Sequence, residues 1–233
     1  MIFRQLFDSE SSTYTYLIGD EATRQAALID PVLEQVERDL RLVAELGLVL
    51  THVFDTHVHA DHVTASGVLR ERTRCKVVAG AGGAECADLH VRHGDTVYVG
   101  QCVFQVLATP GHTDDSVSYL LGDRVFTGDA LMVRGNGRTD FQNGSAGQLY
   151  DTITGVLFQL PDATLVYPGH DYHGNTATSI GEEKRHNPRL AGKSREEFIQ
   201  VMNALNLPRP RKIDLAVPAN RACGRTEPPV PGA

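Results

Sequence analysis

Thr56-His57-Val58-His59-Ala60-Asp61-His62, one residue beyond the apolar pair Val53-Phe54, gathers three imidazoles and a carboxylate into one short turn of chain. Neutral imidazole and carboxylate are the usual ligands of borderline first-row divalent ions, and alternation at the end of a strand sends His57 and His59 to the same side. Surface loops also carry histidines that bind nothing. At this density, however, one stretch supplies half a coordination sphere.

Further ligands stand at the ends of later apolar segments. Thr109-Pro110-Gly111-His112-Thr113 follows the alternating run 104–108, Thr127-Gly128-Asp129-Ala130 follows 124–126, and Tyr167-Pro168-Gly169-His170-Asp171 follows 163–166. Each sets a potential ligand beside glycine, where the backbone can turn sharply and bring a side chain to an ion. A single such dipeptide reads as a plain turn. Their succession after an HxHxDH cluster reads as the rest of a metal site.

The order HxHxDH, GHT, TGDA, PGHD resembles the metallo-β-lactamase superfamily, which includes glyoxalase II, lactamases, flavodiiron proteins and persulfide dioxygenases. Within it the chain is most similar to the persulfide dioxygenases, through THVHADHVTASGVLR, FTGDALMVRGNGRTDFQNGS, YPGHDYHG, EEKRHNPRL and LAVPANRACG. These segments run from about residue 51 to 224. GRTDFQ and DYHG separate this group from hydrolases of the same fold, and glyoxalase II carries a longer helical C-terminal region than this chain has after His170.

With 233 residues and 41% hydrophobic content, the chain can bury a substantial core, and one domain spanning 1–233 is expected. A net charge of −7 without a clustered Lys/Arg stripe gives no footprint for nucleic acid or an anionic membrane. The N-terminus lacks the basic region and long apolar core of a signal peptide, and no apolar run approaches spanning length. A cytoplasmic location is expected, or an organelle matrix if a targeting segment has been removed. Cys75, Cys86, Cys102 and Cys223 form no CxxC pair and no framework spacing, which fits a reducing compartment, with Cys223 an inert thiol.

Turn signals and periodicity sketch the elements. Residues 13–18 and 25–29, separated by Gly19-Asp20, read as a hairpin. Val32, Val36, Leu40, Val43 and Gly47 share one face of an amphipathic helix. A strand ending at Asp55, a helix over 67–73 and a strand over 76–79 follow. Strands then dominate at 97–99, 102–108, 118–121 and 124–126, before a helix over 146–159 and a strand over 164–167. Two facing mixed sheets with helices outside, an αββα sandwich, fit this order, and the resemblance implies the same fold. Beyond His170 the expectation is a short helical segment over about 179–207, with helices near 180–186 and 195–205. Pro208 and Pro210 argue against regular structure after it, and a mobile tail is expected over about 226–233.

The resemblance implies a single Fe(II) held by His57, His112 and Asp129, a two-histidine, one-carboxylate set that leaves positions open for substrate and dioxygen. Spacing alone equally permits two zinc ions, with His57, His59 and His112 on one, Asp61, His62 and His170 on the other, and Asp129 between them. Under the mononuclear reading His59, Asp61, His62 and His170 instead orient the ligands by hydrogen bonds. The implied reaction converts glutathione persulfide, with O2 and water, to sulfite and glutathione. A glutathione thioester hydrolase of the glyoxalase II kind is the alternative. Arg138 and Asp140 are the expected partners of glutathione's carboxylate and amine, or else pair with each other. Tyr172 is expected to donate its hydroxyl near the metal. Arg221 stands one position earlier than the arginine many relatives place before Cys-Gly, which puts its role in holding glutathione in doubt. A homodimer and functional coupling to a sulfurtransferase are compatible with this reading.

Overall fold

Alternation along β2 (Thr13–Gly19) sends Tyr14, Tyr16 and Ile18 into one apolar cluster and Leu17 into another, so this strand is covered on both faces. The same division repeats through the computed structural model, which describes residues 1–226. One sheet has the order β1 (Ile2–Asp8), β2, β3 (Gln25–Ile29), β4 (Val49–Phe54), β5 (Lys76–Gly80), β6 (Leu89–Val91). The other runs β12 (Thr178–Ser179), β11 (Leu165–Pro168), β10 (Arg124–Gly128), β9 (Val117–Leu121), β8 (Cys102–Ala108), β7 (Thr96–Val99). Both sheets are mixed: β3, β4, β5 and β6 pair in parallel, as do β10 and β11, and the other pairs are antiparallel.

Tyr16, Phe54, Phe104, Tyr119 and Phe126 fill the space between the sheets. On the outer face of the first sheet α1 (Val36–Glu45) buries Val36 and Val43, and α2 (Ser66–Thr73) buries Leu69, against Leu28 and Val53. On the second, α3 (Ala146–Gly155) and α5 (Arg195–Asn203) bring Leu149, Ile153, Phe198 and Met202 onto Val125 and Val166. The αββα layering is therefore produced by alternate strand residues facing opposite cores. α4 (Ile180–His186) lies where the periodicity puts a helix.

Three features depart from expectation. β1 and β6 are strands that the pattern did not reveal. A further helix, α6 (Ile213–Arg221), forms after Pro210 and contains Pro218, where no regular structure was expected. Proline removes one helical N–H, and the helix is held by tertiary contacts, with Ala216 and Ala219 buried against Val63. Cys86 and Cys223 are joined in a disulfide, so the four cysteines are not all thiols and Cys223 is not an inert one. The spacing gave no sign of it because the partners lie 137 residues apart and meet only through the fold. The expected mobile tail lies outside the described residues apart from Thr226.

Candidate metal centre

The four motifs leave the ends of β4, β8, β10 and β11, and both sheets therefore deliver them to one end of the sandwich. Glycine is required there. At Gly111, φ is +133° and a Cβ would lie 2.4 Å from Leu149 backbone; at Gly128, φ is +50° and a Cβ would meet the Thr56 side chain. A backbone hydrogen bond from Tyr14 to Gly169 and a bridge between Thr13 and His170 tie the first sheet to the last motif.

His57, His112 and Asp129 each offer a ligand atom, and these atoms lie within 4.8 Å of one another. Ligands bound at about 2 Å to one ion have comparable separations. His112 donates from Nδ1 to the Arg138 carbonyl at 2.6 Å, which leaves Nε2 facing Asp129 Oδ2 at 3.6 Å. Thr56 donates its hydroxyl to Asp30 and accepts from His57 Nδ1, so His57 is likewise turned to present Nε2. His57 is 4% exposed, and the side chains of His112 and Asp129 are 12% exposed. The donor set, its tautomers and its burial fit a divalent ion, which makes these three side chains candidate ligands for one.

His170 spans two carboxylates: Nδ1 donates to Asp129 Oδ1 at 2.7 Å and Nε2 to Asp61 Oδ2 at 2.9 Å. Burial disfavours its charge, but Asp129 and Asp61 outweigh this and hold the ring well above the usual histidine range. Asp129 is held far below the usual carboxylate range despite burial, chiefly by His170. His57 is pushed well below its ordinary value by burial and by His59 and His112, which keeps it neutral for a metal. His59, also buried, is raised to about 9 because Asp30 outweighs its desolvation. His59, Asp61 and His62 form a second convergent group, in which His59 Nδ1 and His62 Nε2 are buried without a partner.

Above the metal ligands opens a cavity of about 750 Å³ lined by the 132–138 loop, Phe141, Tyr172, Arg189 and the 207–212 segment. Tyr172 stands at its mouth, 66% exposed, its ring parallel to that of His170. Arg138 lines the cavity but is occupied: Nε and Nη2 bind Asp140 at 2.6 and 2.7 Å, Nη1 donates to the Pro208 carbonyl, and the guanidinium lies over Phe141. Asp140 is not among the lining residues. The mutual pair that orders a long loop is the arrangement found. Arg221 is not brought to the cavity either, because α6 runs behind the metal loop and its last turn packs near Glu85.

Several groups that build the site carried no motif. Asp30, itself at φ +50°, accepts from the Thr56 N–H and hydroxyl. Asp115 accepts from the Val58 N–H, and Gln142 donates to the Val58 carbonyl. Asn220 accepts from the Thr64 N–H and donates to the carbonyls of His59 and His62. An Asp before Pro31 at a strand end was a visible signal for Asp30; nothing local marked Asn220.

The sequence pattern of the metallo-beta-lactamase superfamily matches residues 9–85 and 89–170. Mouse (Mus musculus) mitochondrial persulfide dioxygenase ETHE1 is 50% identical, over 98% of this chain and 91% of its own. The crystal structure of ETHE1 from Myxococcus xanthus superposes with a TM-score of 0.96 at 80% identity, covering 97% of this chain and all of that one. A hydroxyacylglutathione hydrolase of Rhodospirillum rubrum is 38% identical over 70% of this chain and 63% of its own. With the superfamily pattern matched over most of its length and persulfide dioxygenase relatives matched over nearly all of it, the chain belongs to the metallo-beta-lactamase superfamily, in its persulfide dioxygenase family.

Proposed function

We propose that this protein, a persulfide dioxygenase by family, oxidises glutathione persulfide with O2 at one ferrous ion held by His57, His112 and Asp129. The convergence of two imidazoles and one carboxylate at the floor of a cavity carries this reading. Three protein ligands leave room for both reactants, and a soft anionic sulfur suits such a site. When bound, ferrous iron supplies the redox chemistry with dioxygen that no side chain here can provide. The sulfane sulfur gives up four electrons, O2 accepts them, and water contributes the third oxygen of sulfite while glutathione leaves as the thiol.

The chain's own residues orient and shield. His170 fixes Asp129 through Oδ1 and leaves Oδ2 toward the ion. Asp30, through Thr56, holds the His57 ring. Tyr172 is available to donate to a substrate entering over His170, and its hydroxyl has no hydrogen-bond partner among the described residues. A whole chain acting as one domain, a cytoplasmic or organelle-matrix setting, a homodimer and a sulfurtransferase as functional partner belong to the same reading. The mitochondrial relative supports the matrix; the disulfide removes the cysteine-based support for a reducing compartment. No helix among the described residues is long and apolar enough to cross a membrane.

A second reading, a two-zinc hydrolase of glutathione thioesters, draws on the His59, Asp61, His62 group and the hydrolase relative. Against it, His170 bridges Asp129 and Asp61 through its two ring nitrogens, the arrangement of a residue that orients a ligand carboxylate by hydrogen bonds. Oxygen uptake by iron-loaded protein given glutathione persulfide tests the proposal, alongside metal analysis of anaerobically purified protein. One iron per chain with stoichiometric uptake is expected. A flat trace, or two zinc per chain with release of glutathione from S-lactoylglutathione, would overturn it.

A further inference from the structure

The cavity is lined by six arginine and lysine side chains, more than the proposed chemistry uses, and four of them are paired. Arg134 binds Glu182 and Glu183, Arg138 binds Asp140, Arg209 binds Asp214, and Lys212 binds Glu10 and Glu34. Arg211 makes no ion pair among the described residues but is exposed. Arg189 differs from all of them. It is partly buried, lines the cavity, and makes no ion pair among the described residues.

We infer that Arg189 is the carboxylate-holding cation of this cavity and takes the glycyl carboxylate of the glutathione moiety. This rests on the glutathione persulfide reading above and assigns a subsite within it. The side chain is held in place: Nη1 donates to the Asn136 carbonyl at 2.6 Å, and its own N–H donates to the Asn187 side chain. Asn187 is buried and bonds Glu183 and the Gly135 carbonyl, so the turn presenting Arg189 is anchored at both sides. Asn136 precedes Gly137, whose N–H donates to the Asp129 carbonyl and where a Cβ would lie 2.6 Å from His112 Nδ1. The guanidinium is thus built onto the same loop that borders the metal ligands.

One carbonyl leaves most of a guanidinium's five donors uncommitted, and an ionic partner in a fork geometry is what they suit. Burial disfavours the charge of Arg189 and no carboxylate offsets it, unlike at Arg134 or Arg138. A partly desolvated cation without a counter-ion gains most from an anionic ligand. Which end of glutathione binds follows from charge. The γ-glutamyl end is a zwitterion and needs an acid beside the cation, whereas Arg189 is paired with no acid among the described residues. The glycyl end is a bare carboxylate.

The test is calorimetric binding of glutathione and of its glycyl ethyl ester to the intact protein, with Arg189→Gln and Arg189→Lys. Wild type should bind the acid about 10–100-fold more tightly than the ester, the loss typical of a charged hydrogen bond. Arg189→Gln should erase that preference and leave ester binding unchanged, and Arg189→Lys should restore part of it. In turnover the KM for glutathione persulfide should rise with kcat within about two-fold. Equal binding of acid and ester by wild type overturns the subsite without needing a variant. So does equal weakening of both ligands in Arg189→Gln, which a structural role would produce. Oxygen uptake by the wild type separates the two levels: a flat trace sinks the reaction and the subsite with it, while normal uptake with no acid preference sinks the subsite alone.

Discussion

His170 shows how much a single residue contributes without touching the ion in the proposed arrangement. Its two ring nitrogens bind Asp129 and Asp61, so removing the ring frees the proposed carboxylate ligand and leaves two half-buried carboxylates without their shared partner. His170→Gln should weaken metal affinity by about 10–100-fold, as measured by chelator competition. Unchanged affinity would show that Asp129 needs no such support. Away from the site, Asp39 is buried in α1 with Oδ1 on Arg38 and Oδ2 unpartnered. Burial raises its pKa and Arg38 only partly offsets this. A carboxyl raised in the folded state binds its proton more tightly there, so its contribution is present at low pH and is lost as pH rises through the folded value. The melting temperature of Asp39→Asn relative to wild type should therefore increase between about pH 4 and neutrality. A difference independent of pH would contradict this. At this scale the sequence was legible where chemistry is local: His57, His112 and Asp129, which the fold brings together, each stood in a motif. Arg138 and Asp140 were harder to read, because a charged pair two residues apart looks the same whether it binds a ligand or itself.

Elements were legible in proportion to how strongly one face is apolar. The hairpin of β2 and β3 and the helix α1 follow from alternation and from the 3.6-residue period. β1, IFRQLFD, is half-exposed and alternates poorly, and β6 is too short to show any period. α6 was hidden by its prolines, since its reason for existing is tertiary. Asn220 near its C-terminal end bonds Thr64, His59 and His62, so the helix clamps the metal loop from behind. Asn220→Ala would leave one N–H and two carbonyls of that loop without partners. At about 1 kcal/mol for each lost bond, a loss of about 2–4 kcal/mol is expected in chemical denaturation. Because the orphaned groups belong to the metal loop, metal retention should fall in the same variant. Loss of stability with full metal retention would show that α6 supports the fold but not the site.

At the scale of the whole molecule the two sheets set the site, because four strand ends from both must stay in register for His57, His112, Asp129 and His170 to meet. The layered order could be read from the chain, since strands and helices alternate with matching apolar faces. The long-range staple could not. Cys86, after β5, and Cys223, just beyond α6, close a loop across 137 residues, and the Cys223 carbonyl accepts from Gly67 N–H at the start of α2. The bond thus ties α6, and with it the Asn220 clamp, to the first sheet. Loop-closure entropy puts its ceiling at about 5 kcal/mol. Thiol titration of protein denatured without reductant should find two thiols per chain, Cys75 and Cys102, and four after reduction. Reductant should lower the melting temperature of the wild type and leave that of Cys223→Ser unchanged. It should also speed metal loss to a chelator in the wild type alone, because the clamp on His59 and His62 loosens when the staple opens. Four thiols before reduction, or equal responses of both proteins, would show that the C-terminal segment is held by packing and hydrogen bonds without a covalent contribution.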